Sequence, residues 1–190
     1  MRCMVCERLS LKHICKPCQN KLLSPSFFKR KILAKIPVYS FYKYQDIESL
    51  LLTKHTDIGH YIYTILAHNS FLPFAQNFEY DSNIISLSID DHVKNGYSHT
   101  AVLNKALQSR WIKPHYAKIR AKNKISYSGK DYQFRLLNPR NFQVSEFKEE
   151  DVILVDDVIT TGLTLTQAVQ ALQNEGKNVL FCLTLADARK

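Results

Sequence analysis

The segment between residues 152 and 185 constrains the fold more than any other part of the sequence. An apolar run at residues 152–155 predicts a buried strand, and a second apolar run at residues 179–185 predicts another. The residues between them have the spacing of an amphipathic helix over 163–174, with Gly176 marking its end. Because two strands joined through a helix run parallel in one sheet, this βαβ unit predicts an α/β fold with a mainly parallel sheet.

A polar turn follows the first of these strands and predicts a binding site. Asp156 and Asp157 come directly after the apolar run, and a loop with hydroxyls and one glycine then leads into the helix, at Thr160, Thr161, Gly162 and Thr164. Ligands of α/β proteins bind outside the carboxyl ends of parallel strands. Backbone N–H groups at a helix start and threonine hydroxyls donate to phosphate oxygens, while paired carboxylates accept from sugar hydroxyls or bind Mg²⁺. The turn therefore predicts a site for a phosphorylated ribose.

A purely structural alternative is that Asp157 and Thr160 cap the helix that follows. Capping does not need paired aspartates after an apolar strand, so the binding interpretation is favoured. The sequence contains neither GxGxxG nor GxxxxGK[ST], which excludes a dinucleotide-binding loop and a P-loop.

Apolar spacing gives a coarse assignment for the rest of the chain. We expect strands at residues 38–44 and 83–89, a loop at 53–57, and helices at 46–52, 58–67 and 98–109. In the last of these helices, the side chains expected to face the core are Ala101, Val102, Ala106 and Leu107. Residues 118–140 have little apolar periodicity and predict a long loop, and loops of that length are usually functional lids or disordered.

Four of the five cysteines form two CxxC pairs near the start of the sequence, at Cys3, Cys6, Cys15 and Cys18. Each CxxC turn presents two sulfur atoms, and four thiolates at this spacing can close on one tetrahedral Zn²⁺. An iron–sulfur cluster and disulfides are the alternatives, and a catalytic zinc is disfavoured because four thiolates leave no open position. We predict a structural zinc module over residues 1–20. The fifth cysteine, within the last apolar run, is expected to be a buried free thiol.

The positive charge of the sequence is concentrated in two blocks. The formal net charge is +9, and residues 1–40 and 108–140 each hold nine basic residues and one acidic residue. In the second block the cations alternate with aromatic side chains, which suits a polyanion with stackable bases, although lysine-rich loops also serve solubility alone. We predict that single-stranded nucleic acid contacts five cations of this block, Arg120, Lys122, Lys124, Lys130 and Arg135.

The motif VILVDDVITTGLT closely resembles the phosphoribosyl pyrophosphate (PRPP) binding motif of type I phosphoribosyltransferases. With a four-cysteine module in front of it, the chain resembles the ComF family of competence proteins, of the ComFC type. The resemblance implies a type I phosphoribosyltransferase-like fold, in which a mainly parallel sheet is flanked by helices and preceded by a small N-terminal zinc-binding module. It divides the chain into a zinc finger at residues 1–20, a basic connector at 21–37 and a phosphoribosyltransferase-like domain at 38–190.

The same resemblance implies residue roles. The carboxylates would face the ribose hydroxyls and the threonine loop would hold the 5-phosphate, with PRPP bound by Asp156, Asp157, Val158, Ile159, Thr160, Thr161, Gly162, Leu163 and Thr164. A pyrophosphate loop would lie at Ser88, Ile89, Asp90, Asp91 and His92. Mg²⁺ would bridge the acidic residues of that loop to pyrophosphate. Lys54 occupies another position of the family.

The function implied by the resemblance is an accessory role in DNA uptake during natural transformation. The protein would bind PRPP with Mg²⁺, handle single-stranded DNA, and have a helicase or membrane DNA-uptake channel components as partners. An active transferase that passes phosphoribose from PRPP to a nucleobase or another amine is the alternative, although the sequence identifies no catalytic base.

The sequence also bears on cellular location. It has no apolar run of about 18 residues, and its first 20 residues lack the apolar core of a signal peptide. We therefore expect a cytoplasmic protein without a membrane span, with peripheral association at the inner membrane as a further expectation from the DNA-uptake role.

Overall fold

The computed structural model describes residues 1–89, 96–123 and 132–189, with Tyr132 described through its backbone only. The helices are α1 (Lys16–Leu22), α2 (Tyr44–Leu51), α3 (Gly59–Asn69), α4 (Phe71–Asn77), α5 (His99–Lys105), α6 (Tyr132–Leu137) and α7 (Leu163–Asn174), with a 3₁₀ turn at Leu52–His55. The strands are β1 (Phe28–Ile32), β2 (Ile36–Lys43), β3 (Ile84–Ser88), β4 (Ile112–His115), β5 (Ile119–Ala121), β6 (Phe142–Val144), β7 (Asp151–Ile159) and β8 (Asn178–Asp187). Among the described residues, no helix combines the length and the apolar character needed to span a membrane.

Six strands form the main sheet, in the order β1-β2-β8-β7-β3-β4. β1 pairs antiparallel with β2 at one edge, and every other neighbouring pair is parallel. β1 and the start of β2 come from residues 28–37, so this part of the basic connector lies in the sheet. The prediction of an α/β fold with a mainly parallel sheet is confirmed.

The predicted βαβ unit is formed by β7, α7 and β8. The two strands are parallel neighbours, and the helix between them has the predicted bounds. Its apolar face consists of Leu165, Ala168, Val169 and Leu172, which recur every three or four residues and are all buried. The chain leaves the helix through Gly176, whose φ is +72°, and the N–H of Lys177 bonds the carbonyl of Leu172.

Both faces of the sheet are covered, as expected for parallel strands. Val152 and Leu154 of β7 belong to the apolar core that contains the buried face of α7. Ile153 and Val155 belong to the opposite core, together with buried residues of α3, α4 and α5. The apolar run of β7 is therefore continuous because each of its side chains faces one core or the other.

The helix predicted at residues 98–109 is shorter than expected. α5 ends at Lys105, because the chain then turns into β4, and the turn is closed by the N–H of Ile112 bonding Oγ of Ser109. The predicted inward face is also wrong in part, since the buried positions include Leu103 and Asn104 while Ala101, Val102 and Ala106 are only half-buried. Asn104 is buried because its amide donates to two backbone carbonyls, those of Ser86 and His115.

The described part of residues 118–140 is not one long loop, so that expectation is corrected. β5 pairs antiparallel with β6, and α6 lies between them along the chain. β5 gives no periodic apolar signal in the sequence because it is three residues long and buries a single side chain, Ile119. The predicted loop at residues 53–57 is likewise occupied in part by the 3₁₀ turn.

Candidate functional site

β7 carries two adjacent aspartates at the carboxyl edge of the sheet. The apolar run predicts a strand end at Val155, but β7 continues through Asp156 and Asp157. The extension exists because β8 also continues, with Thr184 opposite Asp156. Asp156 and Asp157 are therefore held in the sheet, and they are only 8% and 7% exposed.

Asp157 is the centre of a buried polar cluster. Its Oδ2 lies 2.9 Å from Nζ of Lys54 and 3.4 Å from Nε2 of His99, and it accepts a longer hydrogen bond of 3.5 Å from the hydroxyl of Tyr63. Its Oδ1 accepts the N–H of Val158 at 2.8 Å. The 3₁₀ turn, α3 and α5 each supply one of the side-chain partners, so the carboxylate ties three separate segments to the end of β7.

The surroundings of Asp157 fix its charge. Burial would raise the pKa of this carboxyl, but the hydrogen bond from His99 and the ammonium of Lys54 outweigh that effect and hold the pKa well below its usual range. Burial, together with the charge of Asp157, raises the pKa of Tyr63. At neutral pH the cluster therefore holds an ionised carboxylate and a neutral phenol that donates to it.

The loop after β7 has the geometry of an anion-receptive turn. Gly162 occupies the N-cap of α7 with a φ of +84°, and a Cβ at this position would lie 2.9 Å from Cγ2 of Ile32. In the described part of the chain, no acceptor is in hydrogen-bond range of the N–H groups of Thr161 and Gly162. These N–H groups and the positive end of the helix can therefore face an anion.

The capping alternative for this turn is not what the structure has. Gly162 occupies the N-cap position of α7, and the side chain that accepts an N–H group from the first turn is Thr161, whose Oγ1 accepts from Leu163 over 3.4 Å. Oδ1 of Asp156 accepts the N–H of Asp157, and Oδ1 of Asp157 accepts the N–H of Val158, so both carboxylates bond within β7.

Two arginines contact the first residue of the loop. The guanidinium of Arg30, from β1, donates to the carbonyl oxygen of Thr160. The guanidinium of Arg135, from α6, donates to Oγ1 of the same threonine over 3.0 Å. Arg30 belongs to the first basic block of the sequence and Arg135 to the second. The fold thus brings the two blocks together at the loop.

The predicted pyrophosphate loop is described only at its start. Ser88 and Ile89 are buried beside β7, where the N–H of Ile89 bonds the carbonyl of Val155. Asp90, Asp91 and His92 lie outside the described residues.

The structure describes three of the five predicted nucleic-acid contacts. Arg120 and Lys122 are exposed, on and just after β5, whereas Arg135 lies at the Thr160 loop. Lys124 and Lys130 lie outside the described residues. Among the described members of this set, Arg135 is the one with a hydrogen bond to the loop that follows the aspartates.

Sequence reasoning missed three residues of this site. Arg30, Tyr63 and His99 come from segments distant from the aspartates along the chain. In the sequence, His99 is distinguished only as a polar residue at the start of a predicted helix. Tyr63 lies among the apolar residues of α3, and no pattern distinguishes it from them. Only their meeting at one sheet edge identifies them.

The four-cysteine cluster is the second candidate site. The Sγ atoms of Cys3, Cys6, Cys15 and Cys18 all lie within 4.8 Å of one another, and those of Cys6 and Cys15 are 3.7 Å apart. Tetrahedral zinc with Zn–S bonds of about 2.3 Å needs sulfur atoms about 3.8 Å apart, so the arrangement fits this ion. All five cysteines of the chain are free thiols.

Two thiols of the cluster have shifted pKa values, and the shifts have opposite directions. Hydrogen bonds from the backbone of Cys15 and Cys6 lower the pKa of Cys3 to about 6. A hydrogen bond between the side chains of Cys18 and Cys15 raises the pKa of Cys18 to about 12. Negative charge therefore collects on part of the cluster, and a bound cation would complete the deprotonation. The other cysteine, Cys182, is fully buried in β8, as predicted, and burial raises its pKa.

The cysteine module packs directly on the main core. Ile14 is fully buried in the same apolar core as residues of α3. Gln19 of α1 donates to the carbonyl of Ile14 and accepts from the amide of Asn69 at the end of α3. The module is thus attached to the domain through both apolar and hydrogen-bonded contacts.

Comparison with known proteins places this geometry in a wider context. Residues 115–190 match the phosphoribosyl transferase domain family. This match covers β5 to β8 and therefore includes the aspartates, the Thr160 loop and Arg135, but neither Lys54 nor Arg30.

Individual relatives are similar over limited regions. A transcriptional regulator, GfcR, of Haloarcula marismortui is 38% identical over 50 residues, which are 26% of this chain and 23% of that protein. A hypoxanthine phosphoribosyltransferase of Staphylococcus aureus aligns at 16% identity with a TM-score of 0.42, over 66% of this chain and 62% of its own. An orotate phosphoribosyltransferase of Mycobacterium tuberculosis, in complex with inorganic phosphate, aligns at 15% identity with a TM-score of 0.39, over 87% of this chain and 76% of its own.

The sheet and the family match agree on the fold. The fold is α/β and phosphoribosyl transferase-like over residues 115–190, with a mainly parallel sheet flanked by helices and a four-cysteine cluster near the N-terminus that fits a zinc site.

Proposed function

We propose that the protein binds PRPP, or a related phosphoribosyl ligand, together with Mg²⁺ at the carboxyl edge of the sheet. The observation that carries this proposal is the succession of two buried aspartates and an anion-receptive loop at the end of β7. A ligand that bridges them must combine hydroxyl groups with an anionic group a few ångströms away. A sugar phosphate has this combination.

In this proposal the ligand is bound in two parts. Asp156 and Asp157 accept hydrogen bonds from the ribose hydroxyls, and residues 160–164 bind the 5-phosphate through backbone N–H groups and threonine hydroxyls. Bound Mg²⁺ would neutralise pyrophosphate charge, and carboxylates at this edge are its preferred kind of ligand.

Calorimetric titration of PRPP with Mg²⁺ tests the proposal. We expect binding by the wild type and a loss of at least tenfold in Asp156→Asn, because a hydrogen bond to a charged acceptor contributes about 1.5–3 kcal/mol. Asp81→Asn removes the same charge from an exposed turn and is the matched control. The proposal fails if the wild type does not bind, or if Asp156→Asn and Asp81→Asn bind equally well.

We propose further that this ligand-binding protein handles single-stranded DNA as a competence and DNA-uptake accessory protein. What supports this is the charge pattern, in which nine basic residues and several aromatic ones occupy residues 108–140. Arg120 and Lys122 are exposed and can approach a backbone phosphate without rearrangement of the core.

Charge reversal separates DNA contact from general surface charge. The variant Arg120→Glu/Lys122→Glu should bind single-stranded DNA more weakly and with a shallower dependence on salt than the wild type. The control is Lys21→Glu/Lys105→Glu, which reverses two exposed cations outside the block at residues 108–140. Equal salt slopes in Arg120→Glu/Lys122→Glu and in the control would contradict the proposed path, and unchanged transformation in cells carrying the Arg120→Glu/Lys122→Glu variant would contradict the role in DNA uptake.

An active phosphoribosyltransferase is the second candidate, and the family match over residues 115–190 favours it. In the reaction an amine nitrogen would form a C–N bond to the anomeric carbon as the C–O bond to pyrophosphate breaks, pyrophosphate would leave as the anion, and the nitrogen would lose its proton to solvent. Release of pyrophosphate from PRPP in the presence of a panel of nucleobases and amines would establish turnover. A wild type that binds PRPP but releases no pyrophosphate with any of them is a binding protein.

A further inference from the structure

Arg30 connects the antiparallel edge of the sheet to the loop at the end of β7. It lies on β1, outside the region that matches the phosphoribosyl transferase domain, and its side chain is only 13% exposed. Its guanidinium donates to the carbonyl oxygen of Thr160, which is 130 residues away along the chain.

A buried carboxylate anchors this arginine. Nη1 of Arg30 lies 3.6 Å from Oδ1 of Asp187, at the end of β8, and Asp187 is 4% exposed. Oδ2 of the same carboxylate accepts from Nη2 and Nε of Arg189 at 2.7 and 2.8 Å. Two guanidinium groups thus share one carboxylate, and Arg135 adds a third guanidinium at the hydroxyl of Thr160. Two guanidinium groups therefore donate to Thr160, one to its carbonyl oxygen and one to its hydroxyl oxygen.

The contact with Thr160 determines where the next N–H group points. The described chain has no cis peptide bonds, so the carbonyl of Thr160 and the N–H of Thr161 point in opposite directions from one peptide plane. With the carbonyl turned towards Arg30, the N–H of Thr161 points away from β1. Without this contact, the carbonyl oxygen would be free to turn towards a bound anion and repel it.

We propose that Arg30 is a positioning residue for the phosphate loop: by holding the carbonyl of Thr160, it keeps the Thr161 N–H directed at the 5-phosphate of the ligand. This inference rests on the proposed binding of PRPP. It extends the binding site to Arg30, which belongs to the basic block at residues 1–40. The family match does not include this block.

The test compares two variants that each remove one positive charge from β1. Arg30→Gln removes the contact with Thr160, and Lys31→Gln removes an exposed cation from the next position of the strand. Affinities for PRPP with Mg²⁺, ribose 5-phosphate, and pyrophosphate with Mg²⁺ are measured by calorimetry on the full chain, and unfolding temperatures are measured for each variant.

The inference predicts a specific pattern. Arg30→Gln should bind PRPP and ribose 5-phosphate roughly ten to a hundred times more weakly than the wild type, the range for losing a hydrogen bond to a charged group. Pyrophosphate, which has no 5-phosphate, should bind both variants within about twofold of the wild type, and Lys31→Gln should bind all three ligands within the same limit.

Other outcomes overturn the inference and can be told apart. If the wild type binds PRPP and Arg30→Gln binds it equally well, Arg30 has no positioning role while the proposed function stands. Equal weakening by both variants would assign the effect to long-range charge. If Arg30→Gln also loses affinity for pyrophosphate, its weaker binding of PRPP and ribose 5-phosphate would be assigned to general damage to the fold. A wild type that binds neither PRPP nor ribose 5-phosphate overturns the proposed function and this inference together.

Discussion

The replacement Asp157→Asn removes one charge from the buried cluster while keeping the size of the side chain. In the wild type both carboxylate oxygens accept hydrogen bonds, Oδ1 from the N–H of Val158 and Oδ2 from Lys54 and Tyr63, and Oδ2 also lies 3.4 Å from Nε2 of His99. An amide has one accepting oxygen and one donating nitrogen. In either orientation, the NH₂ group of the introduced amide would therefore face a donor, and the ammonium of Lys54 would lose its counter-charge.

The structure sets the size of the loss. Breaking a buried ion pair by removing one partner costs about 3–5 kcal/mol. Here the Lys54 side chain is 28% exposed and can turn towards water, whereas the Asp157 and His99 side chains are only 9% and 6% exposed. We therefore expect a destabilisation somewhat below that range, about 2–3 kcal/mol. For a chain of 190 residues this corresponds to a fall in Tm of about 4–12 °C.

Urea unfolding followed by circular dichroism, at several pH values, measures this loss. Because the folded pKa of Asp157 is lowered, its stabilisation is complete above the pKa of an unfolded aspartate, about 3.9, and is lost as the pH falls towards the folded value. The difference between wild type and Asp157→Asn should thus be constant from pH 7 to pH 5 and smaller at pH 3.5. Asp81→Asn, on the surface, should change stability by less than about 0.5 kcal/mol at every pH. A loss in Asp157→Asn no larger than that of Asp81→Asn, or one that does not shrink in acid, would refute the reasoning.

Two further predictions concern the metal cluster and the loop. Cys15→Ser should lower both the Tm and the zinc content measured by mass spectrometry. Cys182→Ala should keep the wild-type zinc content, since Cys182 lies outside the cluster. Unchanged zinc content in Cys15→Ser would contradict the assignment of the cluster as a zinc site. Gly162→Ala should destabilise by at least about 1 kcal/mol more than Gly96→Ala, because both have positive φ but only at Gly162 does the added Cβ press on Ile32. Equal losses in urea unfolding would mean that the contact with β1 relaxes at no cost.

Local patterns in the sequence predicted the carboxyl-terminal unit well. The bounds of α7 are as predicted and those of β8 nearly so, because the unit has long apolar runs and a helix with one clear apolar face. The prediction failed where burial was determined by hydrogen bonds instead of apolar spacing. Asn104 is buried because two carbonyls bond its amide, and β5 pairs with β6 although the pair buries little apolar surface.

For the site, the sequence determined which chemistry is available and the tertiary structure decided what it is joined to. The two aspartates, the threonine loop and the two CxxC pairs are contiguous or nearly so, and local spacing alone identifies them as candidate ligands. Lys54, His99, Arg30 and Arg135 come from four other segments, and no local pattern relates them to β7. The order of strands in the sheet brings these segments to one edge, because the carboxyl ends of β7 and β8 lie side by side and β1 completes the sheet beyond β2. The two basic blocks that are separate in the sequence therefore meet at Thr160 only in the folded protein.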